Sequence, residues 1–249
     1  MSSVAHDRPL LLIRTGYAPD SIRARHGDFP HWFRIASGLA RDSLRVIDVA
    51  RGDDLPAPGA VRGALITGSA AMVTERATWS ERTAGWIRQA MDLDLPLFGV
   101  CYGHQLMAHA LGGRVDYLPR GREIGTLAIQ RTSAGERDPL LSSLPERFLA
   151  HTTHEQSVLE APKGANVLAH SMRDPHHLVR YGARAVSVQF HPEFNAEVMR
   201  GYIHRKRHDL HREGADAAGI FRAVAATPHA RGLLRRFVRQ DRLYGFPER

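Results

Sequence analysis

The stretch LPLFGVCYGHQ, residues 95–105, decides how the rest of this 249-residue chain is read, and it holds the single cysteine. The uncharged run LPLFGV reads as a fully buried strand. Cys101 follows at a sharp turn, and a helix is predicted from about residue 103, with 104–111 as its body and Gly112 and Gly113 as its stop. Gly99 and Gly103 stand two residues to either side of the cysteine, the G-x-nucleophile-x-G spacing in which missing side chains let neighbouring segments approach a strained turn. A thiol so placed lies above the carboxyl ends of parallel strands, where open α/β sheets hold their ligands. It also lies at a helix N-terminus, whose partial positive charge favours thiolate. The competing reading is a small buried structural thiol, the usual fate of a cysteine on a strand. The paired glycines favour a nucleophile.

Outward from this stretch the pattern alternates. Residues 9–14 read as a first buried strand, 29–39 as a helix ending near Gly38, 44–50 as a second strand and 63–67 as a third. Residues 78–93 read as a helix capped by Thr78 or Ser80, and 96–100 as the fourth strand. Strand and helix in alternation with short links predict an α/β fold: a mostly parallel, doubly wound sheet with helices on both faces. From 114 to 191 the texture becomes β-rich, with GTLAIQRT, RFLAHTT, ANVLAHS and AVSVQF, and this half is expected to complete the sheet. Beyond Glu193 the pattern is helical over 196–212, 215–226 and 230–243. The expected organisation is thus one domain over 1–195 and a C-terminal, Arg-rich helical extension over 196–249, its last helix packing through Leu233, Leu234, Phe237 and Leu243.

Composition narrows the function classes. A 43% hydrophobic share supports a globular core. The apolar run at 9–13 is too short for a signal-peptide core, and no window approaches the roughly 20 apolar residues of a membrane span, so no membrane role and a soluble, cytoplasmic setting are expected. One cysteine forms no internal disulfide, in keeping with a reducing compartment. The net charge of +8 would suit nucleic acid, but the basic residues are scattered, interleaved with acids and accompanied by no binding motif, so nucleic acid is set aside as a partner. The excess is densest over 195–249, with twelve Lys or Arg against six Asp or Glu. His204, His208 and His211 fall at helical spacing there. Their neighbours Arg205, Lys206, Arg207 and Arg212 repel a cation, so a solvated basic face is the better reading and no metal is expected.

A nucleophile needs a base, and the base an orienting group. QFHPEF, residues 189–194, closes the last strong strand. His191 and Glu193 are separated by Pro192, and side chains two apart in an extended segment point the same way, so Glu193 can hold one nitrogen of His191 while the other addresses Cys101. With 15 histidines in the chain, this pair alone would be weak.

GVCYGHQ followed about ninety residues later by HPE resembles the triad-type, class I glutamine amidotransferases, particularly the amidotransferase domain of GMP synthase and its free-standing relatives. ITGSA (66–70) resembles the oxyanion segment after the third strand, and REIG (122–125) and HEQSV (154–158) resemble segments beside the glutamine pocket. The resemblance implies the flavodoxin-like amidotransferase fold and no cofactor. It implies Cys101, His191 and Glu193 as a catalytic triad. Backbone N–H groups of Tyr102 and of Ser69 or Gly68 would meet the oxyanion, and Gln105, Glu123 and His154 would hold the substrate. Where the family has Gly-Gly-Pro this chain has Gly68, Ser69 and Ala70, and where it has Ser-His-Gly-Asp this chain has Thr153, His154, Glu155 and Gln156. No phosphate-cradling loop follows, so a synthetase that takes the ammonia is expected to be a separate polypeptide. A γ-glutamyl peptidase is the related alternative, with HGDFPHWF (26–33) at the entrance for its larger leaving group. A binding module that has lost the chemistry is the third reading, and the intact triad argues against it.

Overall fold

In the computed structural model, which describes residues 8–40 and 42–243, a nine-stranded sheet runs through the molecule. Its first five positions are the parallel strands β2 (Leu44–Asp48), β1 (Leu10–Arg14), β3 (Gly63–Ile66), β4 (Leu97–Val100) and β11 (Ala185–Val188), in that order. The remaining four, β10 (Leu178–Arg180), β9 (Asn166–His170), β6 (Glu123–Arg131) and β7 (Arg147–His154), pair antiparallel. The central parallel strands are apolar along their length because both faces are covered. Leu10, Leu12, Leu65, Phe98, Val100, Val186 and Val188 face α2 (Phe29–Ser37) and α8 (Pro228–Leu243). Leu11, Ile13, Ala64, Ile66, Leu97 and Ala185 face α3 (Thr78–Asp92) and α4 (Tyr102–Ala110).

The C-terminal helices are part of this core. Ala230, Leu233, Leu234, Phe237 and Val238 of α8 are buried in the same cluster as the sheet, and the Phe237 ring lies 5.1 Å from that of Phe98. The side chain of Leu243 lies outside the described residues. Helix α6 (Ala196–Arg212) is capped by Asn195, whose side chain accepts from the Val198 N–H. With α7 (Ala217–Arg222) it builds a satellite cluster in which Met199, Ile203 and Leu210 meet Ile124 of β6. Among the described residues no helix is long and apolar enough to cross a membrane.

Four local readings are corrected. Helix α1 (Asp20–His26) is not foreseen, since Ile22 is its one buried residue and one apolar contact gives no periodicity. Neither Thr78 nor Ser80 caps α3: Ala77 holds that position without a side-chain bond, and the Ser80 hydroxyl accepts from Tyr102 instead. Part of the β-rich half leaves the main sheet, because β5 (Arg114–Tyr117) and β8 (Gln156–Glu160) form a two-stranded sheet of their own. A short helix, α5 (Ser133–Arg137), interrupts the same half.

Candidate active site

Strand β4 ends at Val100 and α4 begins at Tyr102, one residue before the helix start expected from sequence, so Cys101 is both the turn and the helix N-cap. Its backbone sits at φ 53°, ψ −103°, a left-handed conformation that an L residue adopts only under restraint. The restraint comes from both sides. The Cys101 N–H donates to Val188 O (2.9 Å) and the Gly103 N–H to Thr67 O (3.1 Å), tying the turn to β11 and to the end of β3. The glycines permit the close approach: a Cβ on Gly99 would lie 2.6 Å from Gly103 O, and one on Gly103 would lie 2.6 Å from Ile66 O. Cys101 ends 6% exposed at the carboxyl edge of the parallel strands.

The imidazole of His191 arrives from the end of β11 on the far side of Gly68. A Cβ on Gly68 would meet His191 Cε1 at 3.0 Å and Cys101 Cβ at 3.5 Å, so the missing side chain leaves the gap between them. Nδ1 of His191 lies 2.8 Å from Glu193 Oε1 across Pro192, as the extended spacing predicts. Nε2, on the other side of the ring, takes no other partner among the described residues, and the Cys101 side chain acts on the imidazole. Phe194 stacks on the ring at 4.1 Å, and Phe194 is itself packed by Phe29, Trp32 and Tyr202. The His191 N–H donates to His151 O (2.8 Å), and Arg231 of α8 donates to the carbonyls of Glu193 and Phe194, which fixes the loop from the C-terminal side. Burial alone would disfavour the imidazolium. The facing charges of Glu193 and Cys101, with hydrogen bonds to both, outweigh it and hold the His191 pKa up at about 10. Nearby His151 is pushed down to about 4 by burial and by the charges of His191, Arg231 and Arg200, so the positive charge is confined to one of the two rings.

The candidate oxyanion donors lie on the segments that follow β3 and β4. The Tyr102 side chain turns away to Ser80, leaving its backbone N–H in the first turn of α4, where no intrahelical acceptor exists. The Gly68 carbonyl accepts from the hydroxyls of Thr15 (3.1 Å) and Thr67 (3.0 Å), which turns the Ser69 N–H of the same trans peptide the opposite way. A cavity of about 190 Å³ opens over Cys101 and His191. Ser69, Gln105 and His154 line it, with Phe29 from the predicted entrance, and Arg122, Arg205 and Lys206 line it beside Glu155, which pairs with Arg122 (2.9 Å) and Lys206 (3.3 Å).

The sequence model of the family described as Glutamine amidotransferase class-I matches residues 57–208, which contain Gly68, Ser69, Cys101, Tyr102, His191 and Glu193. The chain belongs to that family. Gamma-glutamyl peptidase 5 of Arabidopsis thaliana is 28% identical over 166 residues, 66% of each chain. A GMP synthase [glutamine-hydrolyzing] of Thermomicrobium roseum is 35% identical over 136 residues, 53% of this chain and 23% of that one, so the chain matches under a quarter of the synthase's length. The fold is that of a glutamine amidotransferase from Thermotoga maritima solved by crystallography, with a TM-score of 0.73 at 20% identity, covering 95% of this chain and 99% of that one.

Within this class-I amidotransferase frame, one expected substrate-binding residue lies elsewhere. Glu123 does not line the Cys101 cavity. Its carboxylate is buried on β6, with Oε2 facing His154 (3.2 Å) and His177 (2.7 Å) and Oε1 accepting from Ser171 (2.6 Å). His154 lines the cavity with its ring, but Nδ1 is engaged by Gln156 O (3.0 Å) and Nε2 by Glu123. Gln105 donates to Gln156 O (2.7 Å) and Gln189 Oε1 (3.1 Å). Tyr17, Met72, Tyr202, Arg205 and Lys206 were not foreseen at the site. No local motif marks them, since α6 and the loop after β1 reach the cavity only through the tertiary fold. His204, His208 and His211 lie exposed on α6 beside Arg207, a solvated basic face.

Proposed function

We propose that the chain hydrolyses the side-chain amide of glutamine through a thioester on Cys101, releasing ammonia and glutamate. The observation that carries this is the strained Cys101 elbow facing a His191 held protonated by Glu193 across the gap at Gly68. In this mechanism the Cys101 thiolate attacks the amide carbon, forming the C–S bond. The carbonyl π electrons move onto oxygen, which meets the N–H groups of Tyr102 and Ser69, and losing one such donor costs about a hundred- to a thousandfold in rate. The imidazolium of His191 passes its proton to the amide nitrogen, the C–N bond breaks and ammonia leaves. Neutral His191 then takes a proton from water as the water attacks the γ-glutamyl thioester, and glutamate departs from the restored thiolate. The substrate α-carboxylate is met by Arg205, a cation of the cavity lining. Ammonia is passed to a synthetase as its acceptor, and a reducing, cytoplasmic setting keeps the lone thiol free.

One observation favours the second reading, a γ-glutamyl peptidase. A cavity of about 910 Å³ adjoins the Cys101 cavity and shares Arg122 and Glu155 with it, which gives room for an amine longer than ammonia. Glutamate release from glutamine and from a set of γ-glutamyl dipeptides, with Cys101→Ala as control, separates the two. Preference for glutamine, lost in the variant, supports the first reading. Preference for dipeptides replaces it with the second, and no release from any substrate overturns both.

A further inference from the structure

Behind the wall that carries His154, a second set of chemistry-bearing side chains takes no part in the proposed hydrolysis. Glu123 on β6, His154 at the end of β7, and Asp174 and His177 on the β9–β10 connection are all buried, and one donor atom from each lies within 4.8 Å of the others. His177 Nε2 is 2.7 Å and His154 Nε2 3.2 Å from Glu123 Oε2, and His177 Nε2 is 3.9 Å from Asp174 Oδ2. A tetrahedral ion with nitrogen and oxygen donors at about 2.0–2.2 Å sets those donors about 3.3–3.5 Å apart, a spacing these distances bracket.

On three of the four side chains the atom turned away from the shared centre is held by the protein. Glu123 Oε1 accepts from Ser171 Oγ (2.6 Å), His154 Nδ1 faces Gln156 O (3.0 Å), and Asp174 Oδ1 accepts from the His176 N–H (2.9 Å). Asp174 Oδ2 also takes the Ser157 hydroxyl, and His177 Nδ1 has no partner. Such outer contacts fix ring tautomer and ligand direction, and for His154 they place the proton on Nδ1 and leave Nε2 facing the centre. Charge points the same way. Two buried carboxylates beside two imidazoles form a donor set that a divalent cation would neutralise. The cluster borders the 910 Å³ cavity, which Glu123 and Ser171 line.

We propose that Glu123, His154, Asp174 and His177 bind one divalent first-row transition ion, Zn²⁺ by the match of two imidazoles and two carboxylates to its usual donors. The ion ties β6, the end of β7 and the β9–β10 connection together behind the Cys101 cavity, so its role is structural. The test uses full-length Cys101→Ala protein, which removes the thiol as a competing ligand. After dialysis against Zn²⁺ and then metal-free buffer, elemental analysis is expected to find one Zn²⁺ per chain, and Asp174→Asn and His177→Ala are each expected to weaken binding by about ten- to a hundredfold. Titration of the same protein with Co²⁺ should give visible ligand-field bands saturating at one ion per chain, a readout that stands even where the ligand variants fail to fold. Absence of retained Zn²⁺ together with absence of the Co²⁺ bands overturns the site, as does Zn²⁺ binding unchanged in folded Asp174→Asn.

Discussion

At the scale of single residues, the account rests on the charge state of His191. Glu193 and Cys101 raise its pKa from the ordinary 6.5 to about 10, against the effect of burial. Because the folded-state value is the higher one, protonation of His191 favours the folded protein. That contribution is whole below pH about 6.5 and is lost as pH rises through about 10. Replacing Glu193 with Gln removes a principal source of the rise and the ring's orienting partner. Glutamate release by Glu193→Gln is expected to fall about ten-thousandfold, with its alkaline limb moved to lower pH, as orienting carboxylates behave in other triads. A pH–rate profile identical to that of the unmodified protein would remove Glu193 from the site. The juxtaposition of Cys101, His191 and Glu193 was legible in the sequence because it is written locally, in glycine spacing and in two side chains on one extended segment. Glu123 was misplaced because a motif gives its neighbours in sequence, and the side of β6 that its carboxylate faces is settled by His177 and Ser171, some fifty residues away.

At the scale of elements, the β4–Cys101–α4 turn is the unit that positions the thiol. Its cost is the left-handed backbone at Cys101, of order 1–3 kcal/mol, and it persists because the packing of Gly99 and Gly103 leaves no alternative path. Gly103→Ala puts a methyl group 2.6 Å from the Ile66 carbonyl oxygen, a backbone atom that cannot swing aside. Urea unfolding is expected to show a loss of about 1–3 kcal/mol, accompanied by loss of glutamate release as the turn shifts. Full stability in the variant would contradict the packing argument. The parallel strands were legible because burial on both faces leaves an uninterrupted apolar run, and α6 because its pattern is helical over the whole of 196–212. The pairing of β5 with β8 was not, since strand propensity does not say which sheet a strand joins. Helix α1 makes too few buried contacts to mark a period.

At the scale of the whole molecule, the C-terminal segment serves the site as well as the core. Helix α8 covers one face of the sheet and sends Arg231 to the carbonyls beside the candidate base, while α6 supplies Tyr202, Arg205 and Lys206 to the cavity. Four large apolar side chains of α8 are buried, at about 1.5–3 kcal/mol each, which is comparable to the net stability of a whole domain, about 5–15 kcal/mol. Leu234→Ala is therefore expected to cost about 2–5 kcal/mol in a thermal or urea melt. A change within the error of the melt would mean that this helix is dispensable to the core. The basic excess of the tail, read from composition as a surface property, takes on a local meaning once α6 brings two of its cations to the rim of the Cys101 cavity.

The most direct test of the central claim is to mix the protein with glutamine, quench it in acid during turnover, and locate any covalent adduct by peptide mass mapping. The account predicts one γ-glutamyl group on the peptide that carries Cys101, released by hydroxylamine and absent from Cys101→Ala. Glutamate release without that adduct, or an adduct on another residue, would contradict it.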